Sequence, residues 1–341
     1  MPNPINRTAI TLVKHVCSGD GVDVNLTKLA KALGKHRSTV RKRVNDLIEK
    51  KIINPPVCPF PGVFKHFPLI ILTFADLPHT EQTLKNLRND GHVFALFRLR
   101  ERGYNSLLIQ FHKSVVDHQI WRERLIKKIG RFTSQSTYIP NQLMFKYDPS
   151  AVVSYIEEDV KKGLLTVNNW KMDGLSFEIV KLLTTRKCIR INENALSRKL
   201  KIHRHTISRK IKYLIKENVI LNPVCRLGKF FIMPNTMLII EFLEVDEVSS
   251  TLIRQIKNDP HIAVAFRISE GRYNMLLVET FRSIEEHLDW MEINYREKYP
   301  GVFGYSRVLY IPNKNIIFMD QQKVVIHAID EMLEDMEEIN H

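Results

Sequence analysis

Cysteine is scarce in this chain: four residues in 341, Cys17, Cys58, Cys188 and Cys225, with no CxxC pair among them. Without that spacing they point to reduced, half-buried thiols and not to a metal site. Cys58 and Cys225 occupy equivalent places in an internal repeat described below, which fits a packing role. Long apolar runs are missing as well, and nothing approaches the roughly 18 to 20 residues that span a bilayer. The opening segment, "MPNPINRTAI", has no charged start followed by an apolar stretch, so no secretory signal is expected. P-loop, GxSxG, HExxH and EF-hand spacings are all absent, which leaves those enzyme classes nothing to rest on. From these absences we expect no enzyme, no cofactor, no metal site, no membrane partner, and a cytoplasmic, nucleoid-associated location.

What is present is cationic. The net charge is +14, and it is concentrated. Val24 to Asn54 carries nine Lys/Arg against two Asp/Glu, and Ile191 to Leu221 carries eight against two. Thirteen of the fourteen excess charges therefore lie in two short segments, and the rest of the chain is close to neutral. Solubility does not need such localisation, whereas a polyanion does, because phosphate neutralisation drives sequence-independent nucleic-acid affinity.

The two cationic segments are copies. "LAKALGKHRSTVRKRVNDLIEKKII" (Leu29 to Ile53) returns as "LSRKLKIHRHTISRKIKYLIKENVI" (Leu196 to Ile220), 167 residues later and without a gap. Each reads as a helix-turn-helix unit. In the first, helices are expected over about Asn6 to Cys17, Leu26 to Leu33 and Arg37 to Lys50, with Gly34 in the turn because glycine tolerates positive φ. The second copy has Lys201 at that place and must make the turn at some local strain. On the third helix Val40, Val44, Leu47 and Ile48 form a stripe for the core. The opposite face and its N-terminal approach carry Lys35, His36, Arg37, Ser38, Thr39, Arg41, Lys42 and Asn45. In the second copy they carry His203, Arg204, His205, Thr206, Ser208, Arg209 and Lys212. Arg and Lys suit guanine edges or phosphate, and Ser, Thr and Asn supply short hydrogen bonds to bases. His36 and His203 stand where a side chain could cap the helix or meet a phosphate.

The repeat runs past the helices. An apolar run (Leu69 to Phe74; Leu238 to Phe242) is followed by a helical stretch, then by two alternating runs around "ERG" or "SEG" that argue for a β-hairpin. A second helix follows (about Val115 to Ile129; Ile284 to Lys298), then a last strand ending in "YIPN". The order is βαββαβ, the ferredoxin-like pattern. The fold class expected is thus α+β: two winged or helix-turn-helix domains alternating with two ferredoxin-like βαββαβ domains. Expected boundaries are helix-turn-helix domains at 1–62 and 169–232, ferredoxin-like domains at 66–147 and 235–319, and a connector helix at 148–168. An acidic helix at 320–341 closes the chain and is expected to pack on a module or partner helix.

This order of parts resembles the Lrp/AsnC family of transcription regulators over nearly the whole chain, as two fused copies. The repeated helix-turn-helix segments and the hairpin segments "RGYN" and "GRYN" carry the resemblance. It implies a DNA-binding regulator whose ferredoxin-like modules pair, assemble into homo-oligomers and hold a small-molecule effector near the hairpin turn. Carried onto this sequence, the effector residues are Gly103, Tyr104 and Asn105, with Gly271, Tyr273 and Asn274. Where many family members have an aspartate after the turn, this chain has Asn105 and Asn274, so a carboxylate for an ammonium group is missing. Glycine and tyrosine also differ in spacing between the copies.

The favoured expectation is a regulator bound to double-stranded DNA through two unlike heads, reading successive major grooves roughly 34 Å apart. A nucleoid-organising protein of low sequence specificity shares the same charge argument. The main rival is an enzyme, because sirohaem decarboxylases resemble the same two-part architecture. His112, Tyr104, Arg98 and Arg267 are then the residues to suspect.

Overall fold

The computed structural model describes residues 7–101, 103–129, 132–148, 166–167, 170–171, 173–184, 187–227 and 236–338. Along the first copy run α1 (Arg7–Cys17), β1 (Val22–Val24), α2 (Leu26–Leu33), α3 (Arg37–Glu49) and α4 (Gly62–His66). Then come β2 (Leu69–Asp76), α5 (Glu81–Asn89), β3 (Val93–Glu101), β4 (Tyr104–His112), α6 (Val115–Ile129), β5 (Thr133–Pro140) and β6 (Met144–Tyr147). A small pair, β7 (Thr166–Val167) and β8 (Trp170–Lys171), stands between the copies. The second copy gives α7 (Gly174–Thr184), β9 (Ile189–Ile191), α8 (Glu193–Leu200) and α9 (Arg204–Lys216). It continues with β10 (Met237–Val245), α10 (Ser250–Asn258), β11 (Ile262–Glu270), β12 (Tyr273–Phe281), α11 (Ile284–Met291), β13 (Phe303–Pro312) and β14 (Ile316–Met319). The last helix is α12 (Gln321–Glu338). The fold is α+β, with helix-turn-helix units and ferredoxin-like sheets in alternation. Most of the expected connector helix, 149–165, lies outside the described residues.

The chain forms two compact units that cut across the sequence order. One gathers Met1–Phe67, Asp173–Gly228 and Asp320–His341; the other gathers Pro68–Met172 and Lys229–Met319.

In the first unit the two helix-turn-helix copies pair. β1 and β9 run antiparallel with Asp23 opposite Arg190 at the centre, and these two residues are one repeat period apart. A second crossing pairs Val57 with Val224, again one period apart. Both crossings put equivalent residues face to face, which is the signature of a two-fold axis between the copies. Each core stripe is the expected one: Val40, Val44 and Leu47 are buried on α3, as are Ile207, Ile211 and Leu214 on α9. Ile48 is half-buried. All four cysteines are buried free thiols, deeper than the half-buried state expected. Burial pushes the Cys58 and Cys225 thiols up to about 12, so they pack as apolar groups. The acidic α12 packs along α1, pairing Asp330 with Lys14 and Glu337 with Arg7, while Glu331 meets His66 at 2.6 Å.

The second unit holds two five-stranded antiparallel sheets, ordered β14-β3-β4-β2-β5 and β13-β10-β12-β11-β6. Each sheet borrows its edge strand from the other copy: β6 pairs with β11, and β14 pairs with β3. The sequence pattern does not reveal this exchange. Lys146 on β6 carries it furthest, reaching the C-terminal end of α10 to donate to the carbonyls of Ile256 (2.9 Å) and Asp259 (2.5 Å). A lysine there also complements the helix dipole.

Candidate functional site

The third helices of the two helix-turn-helix units begin with histidine caps. His36 precedes α3, and its Nδ1 accepts the Ser38 N–H at 3.3 Å and lies 2.7 Å from Ser38 Oγ. His203 does the same for α9, accepting the His205 N–H at 3.4 Å, and its ring stacks on His205 at 5.3 Å. Each imidazole nitrogen thus takes up one of the backbone N–H groups left unpaired at the start of its helix. Lys35, His36, Arg37, Ser38, Thr39, Arg41, Lys42 and Asn45 are all exposed. In the second head His203, Arg204, His205, Arg209 and Lys212 are exposed, while Thr206 and Ser208 are half-buried. The turn before each third helix is left-handed in both copies, at φ 59 for Gly34 and φ 54 for Lys201.

The hairpin residues have structural partners. Asn105 accepts from the Leu77 N–H at 3.0 Å and donates to the Leu77 carbonyl at 2.8 Å. Asn274 repeats this with Val245 at 2.9 and 2.7 Å. An aspartate could accept but not donate, so the amide answers a need of the main chain at the end of β2 and β10. Gly271 (φ 60) takes the first position of its two-residue turn and Gly103 (φ 84) the second, which accounts for the altered spacing to Tyr273 and Tyr104. Tyr104 lies 6.3 Å from Phe74 and Tyr273 lies 5.9 Å from Phe242. The Arg307 guanidinium stands over both phenyl rings, at 4.5 and 5.7 Å, and its Nη2 and Nε both donate to Glu101 Oε1, at 2.6 and 2.9 Å. These contacts fill the space around the hairpins with protein groups.

Beneath α6 the first module holds a row of histidines. His92 and His112 stack with ring centroids 4.5 Å apart and planes 9° apart, and His118 meets His112 edge-on at 5.0 Å. His112 is fully buried, with Asp117 Oδ2 at 3.1 Å from Nδ1 and Gln110 Oε1 at 3.0 Å from Nε2. Tyr138 OH lies 3.3 Å from His118 Nδ1, and the Trp121 indole donates to Asp90 at 2.9 Å. Burial lowers the His112 and His118 imidazoles, the latter to about 4, while contact with His112 and the Lys113 N–H outweighs burial at Asp117 and holds its carboxyl low. The row is a hydrogen-bonded network of uncharged imidazoles beside the Asp117 carboxylate. His92, His112 and Asp117 offer one ligand atom each within 4.8 Å of one another, but the two stacked rings point their in-plane lone pairs along parallel planes, which disfavours a shared ion.

The second module keeps the frame and changes the contents. His261 replaces His92, Phe281 replaces His112, His287 replaces His118 and Tyr310 replaces Tyr138, as the strand registers show. Glu279 stands where the first module has Gln110, and Glu241 where it has Thr73. Burial, reinforced by Glu241, raises the Glu279 carboxyl. Burial alone would lower His287, but the two facing carboxylates outweigh it and raise it to about 9. Sequence reading singled out His112 from this region and missed the rest, because its partners come from separate strands and a helix.

No family model matches the sequence, and no curated protein matches it. Among solved structures the chain is similar to the siroheme decarboxylase NirDL, at 11% identity and a TM-score of 0.50, covering 98% of this chain and 100% of that one. NirDL in co-complex with an iron-uroporphyrin III analogue gives a TM-score of 0.51 over the same shares. An AsnC family transcriptional regulator from Agrobacterium tumefaciens covers 38% of this chain and 87% of its own at 16% identity and a TM-score of 0.29. At such identity the full-length likeness to NirDL shows the fold alone, a helix-turn-helix and ferredoxin-like pair duplicated end to end. It also overturns the expectation that this chain is no enzyme. The architecture shared over nearly its whole length is that of a decarboxylase, so paired helix-turn-helix units do not exclude catalysis.

Proposed function

We propose that this chain is an enzyme of the decarboxylase type, acting on a polycarboxylated tetrapyrrole. The observation that carries the reading is the inequivalence of the two modules: a buried His112–Asp117 pair in one, with Phe281 in place of the histidine in the other. A fused pair with a single reaction centre needs such a difference, and a purely structural repeat does not. In the reaction the bond between a side-chain methylene and its carboxylate breaks, carbon dioxide leaves, and the carbon takes up a proton. His112, hydrogen-bonded to Asp117, is the group suited to hold that proton. Half-buried Asp117 connects it towards solvent. Arg98 and Arg267 are exposed at equivalent places on β3 and β11 and suit substrate carboxylates. The test is an absorbance titration with an iron tetrapyrrole bearing acetate and propionate side chains, followed by mass spectrometry for loss of carbon dioxide. His112→Phe, which copies the second module, abolishes product if the reading is right. Absence of any spectral shift with the wild-type chain rejects it.

A second reading, DNA binding, is favoured by one observation: the first head's eight polar positions are all exposed, on a unit whose two heads are related by a two-fold axis. It extends to a regulator with a small-molecule effector, and to homo-oligomers formed through the ferredoxin-like modules. Fluorescence anisotropy with a duplex, at several salt concentrations, tests it.

A further inference from the structure

Glu241 and Glu279 sit on adjacent strands with Ile239 directly opposite Glu279, so the two carboxylates are diagonal neighbours on one sheet face. His287, in the first turn of α11, covers them. Its Nε2 lies 3.2 Å from Glu279 Oε2 and 3.5 Å from Glu241 Oε2, and all three side chains are at most 3% exposed. Both oxygens of Glu279, Glu241 Oε2 and His287 Nε2 are buried without a hydrogen-bond partner. The first module fills the same places with uncharged groups: Thr73 Oγ1 meets Ser136 Oγ at 3.0 Å and Gln110 Oε1 meets His112 Nε2 at 3.0 Å, while Gln110 Nε2 and His118 Nε2 stay without a partner there.

Two buried carboxylates against one imidazole leave negative charge uncompensated, and buried charges are paired or coordinate metals. A carboxyl kept neutral by a proton would still have to donate it, and Glu279 makes no hydrogen bond through either oxygen. The two separations from His287 Nε2 to the carboxylates, 3.2 and 3.5 Å, suit an ion instead. Ligands about 2.1 Å from a first-row metal are separated from one another by roughly 3.0 to 3.4 Å in octahedral or tetrahedral shells. The three donor atoms here all lie within 4.8 Å of one another. Tyr310 OH, 3.2 Å from His287 Nδ1, can fix the tautomer that turns the Nε2 lone pair to the carboxylates. α11 also passes into a π-helical stretch, Glu292–Arg296, which its counterpart α6 lacks. Such insertions gather at functional sites.

We propose that Glu241, Glu279 and His287 bind one divalent first-row transition ion. The site is independent of the tetrapyrrole reading, since it lies in the other module. It is tested on the full-length chain, stripped with chelator and dialysed, by titrating Co2+ and following its visible absorption and the melting temperature. One equivalent binds saturably and raises the melting temperature. The isosteric Glu279→Gln and His287→Ala weaken that uptake at least tenfold, while His118→Ala in the first module leaves it unchanged. If the wild-type chain takes up no saturable equivalent, or if Glu279→Gln binds as well as wild type, the proposal is overturned. Should either variant fail to fold, the wild-type titration alone decides.

Discussion

Val57 and Val224 exchange both main-chain hydrogen bonds: the Val57 N–H donates to the Val224 carbonyl at 3.0 Å, and the Val224 N–H donates back at 2.9 Å. Residues one repeat period apart can do this only on a two-fold axis, so this pair ties the heads into one symmetric body. Val224→Pro removes one donor and should destabilise the first unit by about 1–3 kcal/mol. Urea unfolding monitored by helical circular dichroism measures the loss. A duplex carrying two half-sites should weaken more than one carrying a single half-site; equal losses on both would show that the axis is not used in binding.

Gly34 and Lys201 share a left-handed conformation, but only glycine adopts it without cost. Lys201→Gly should therefore raise stability by up to about 1 kcal/mol, part of the relief being offset by the greater freedom of the unfolded chain. Gly34→Lys should cost about 1–2 kcal/mol, although nothing lies within 4 Å of where its Cβ would sit. Thermal melts of the two variants check the opposite signs. Two shifts of the same sign would remove the backbone explanation.

The sequence made these heads legible because their signals are local. An N-cap, a turn residue and an apolar stripe all lie within 25 residues, and the copies agree on them. The hairpins and helices of the modules were legible for the same reason. The exchanged strands were not: Met144–Tyr147 and Ile316–Met319 are four residues each, and their partners belong to the other copy. The buried polar rows were hidden too. Glu241, Glu279 and His287 are far apart in sequence and come from three elements, and a single glutamate in an apolar strand reads as a surface position. Only the difference between the modules, visible once the strands are in register, sets these residues apart.

Lys146 is the cation of an exchanged strand, and its ammonium is buried against two carbonyls at the end of α10. Lys146→Met keeps the apolar stem and deletes both charge-assisted hydrogen bonds. It should cost about 2–4 kcal/mol in unfolding of the second unit. Hydrogen exchange should rise in β6, β11 and the last turn of α10 together. A change confined to β6 would mean that the lysine does not couple the exchanged strand to the helix.

Arg41 and Arg209 test the nucleic-acid reading through salt. Both are exposed on the third helices, and each phosphate contact removed should lower the salt slope of binding by about 0.9. Arg41→Ala together with Arg209→Ala should thus flatten log affinity against log salt by nearly two. Anisotropy titrations at four salt concentrations give the slope. An unchanged slope and affinity would show that these faces do not meet a phosphate backbone.

His118 gives the chain an acid limit. Burial holds its imidazole at about 4, below its ordinary 6.5, so the folded chain keeps it neutral where the unfolded chain protonates it. A depressed folded value means that the unfolded state binds more protons between the two values. Stability linked to this ring is therefore fully present above pH 6.5, falls as the pH drops, and is lost by about pH 4. The total is on the order of 2–3 kcal/mol. His112 is lowered in the same direction and adds to the effect. His118→Phe removes the ring that must charge, at the expense of its contact with Tyr138. Its melting temperature should be lower than wild type at pH 7 and should fall less between pH 7 and pH 4.5. Parallel curves for variant and wild type would mean that His118 does not titrate on unfolding.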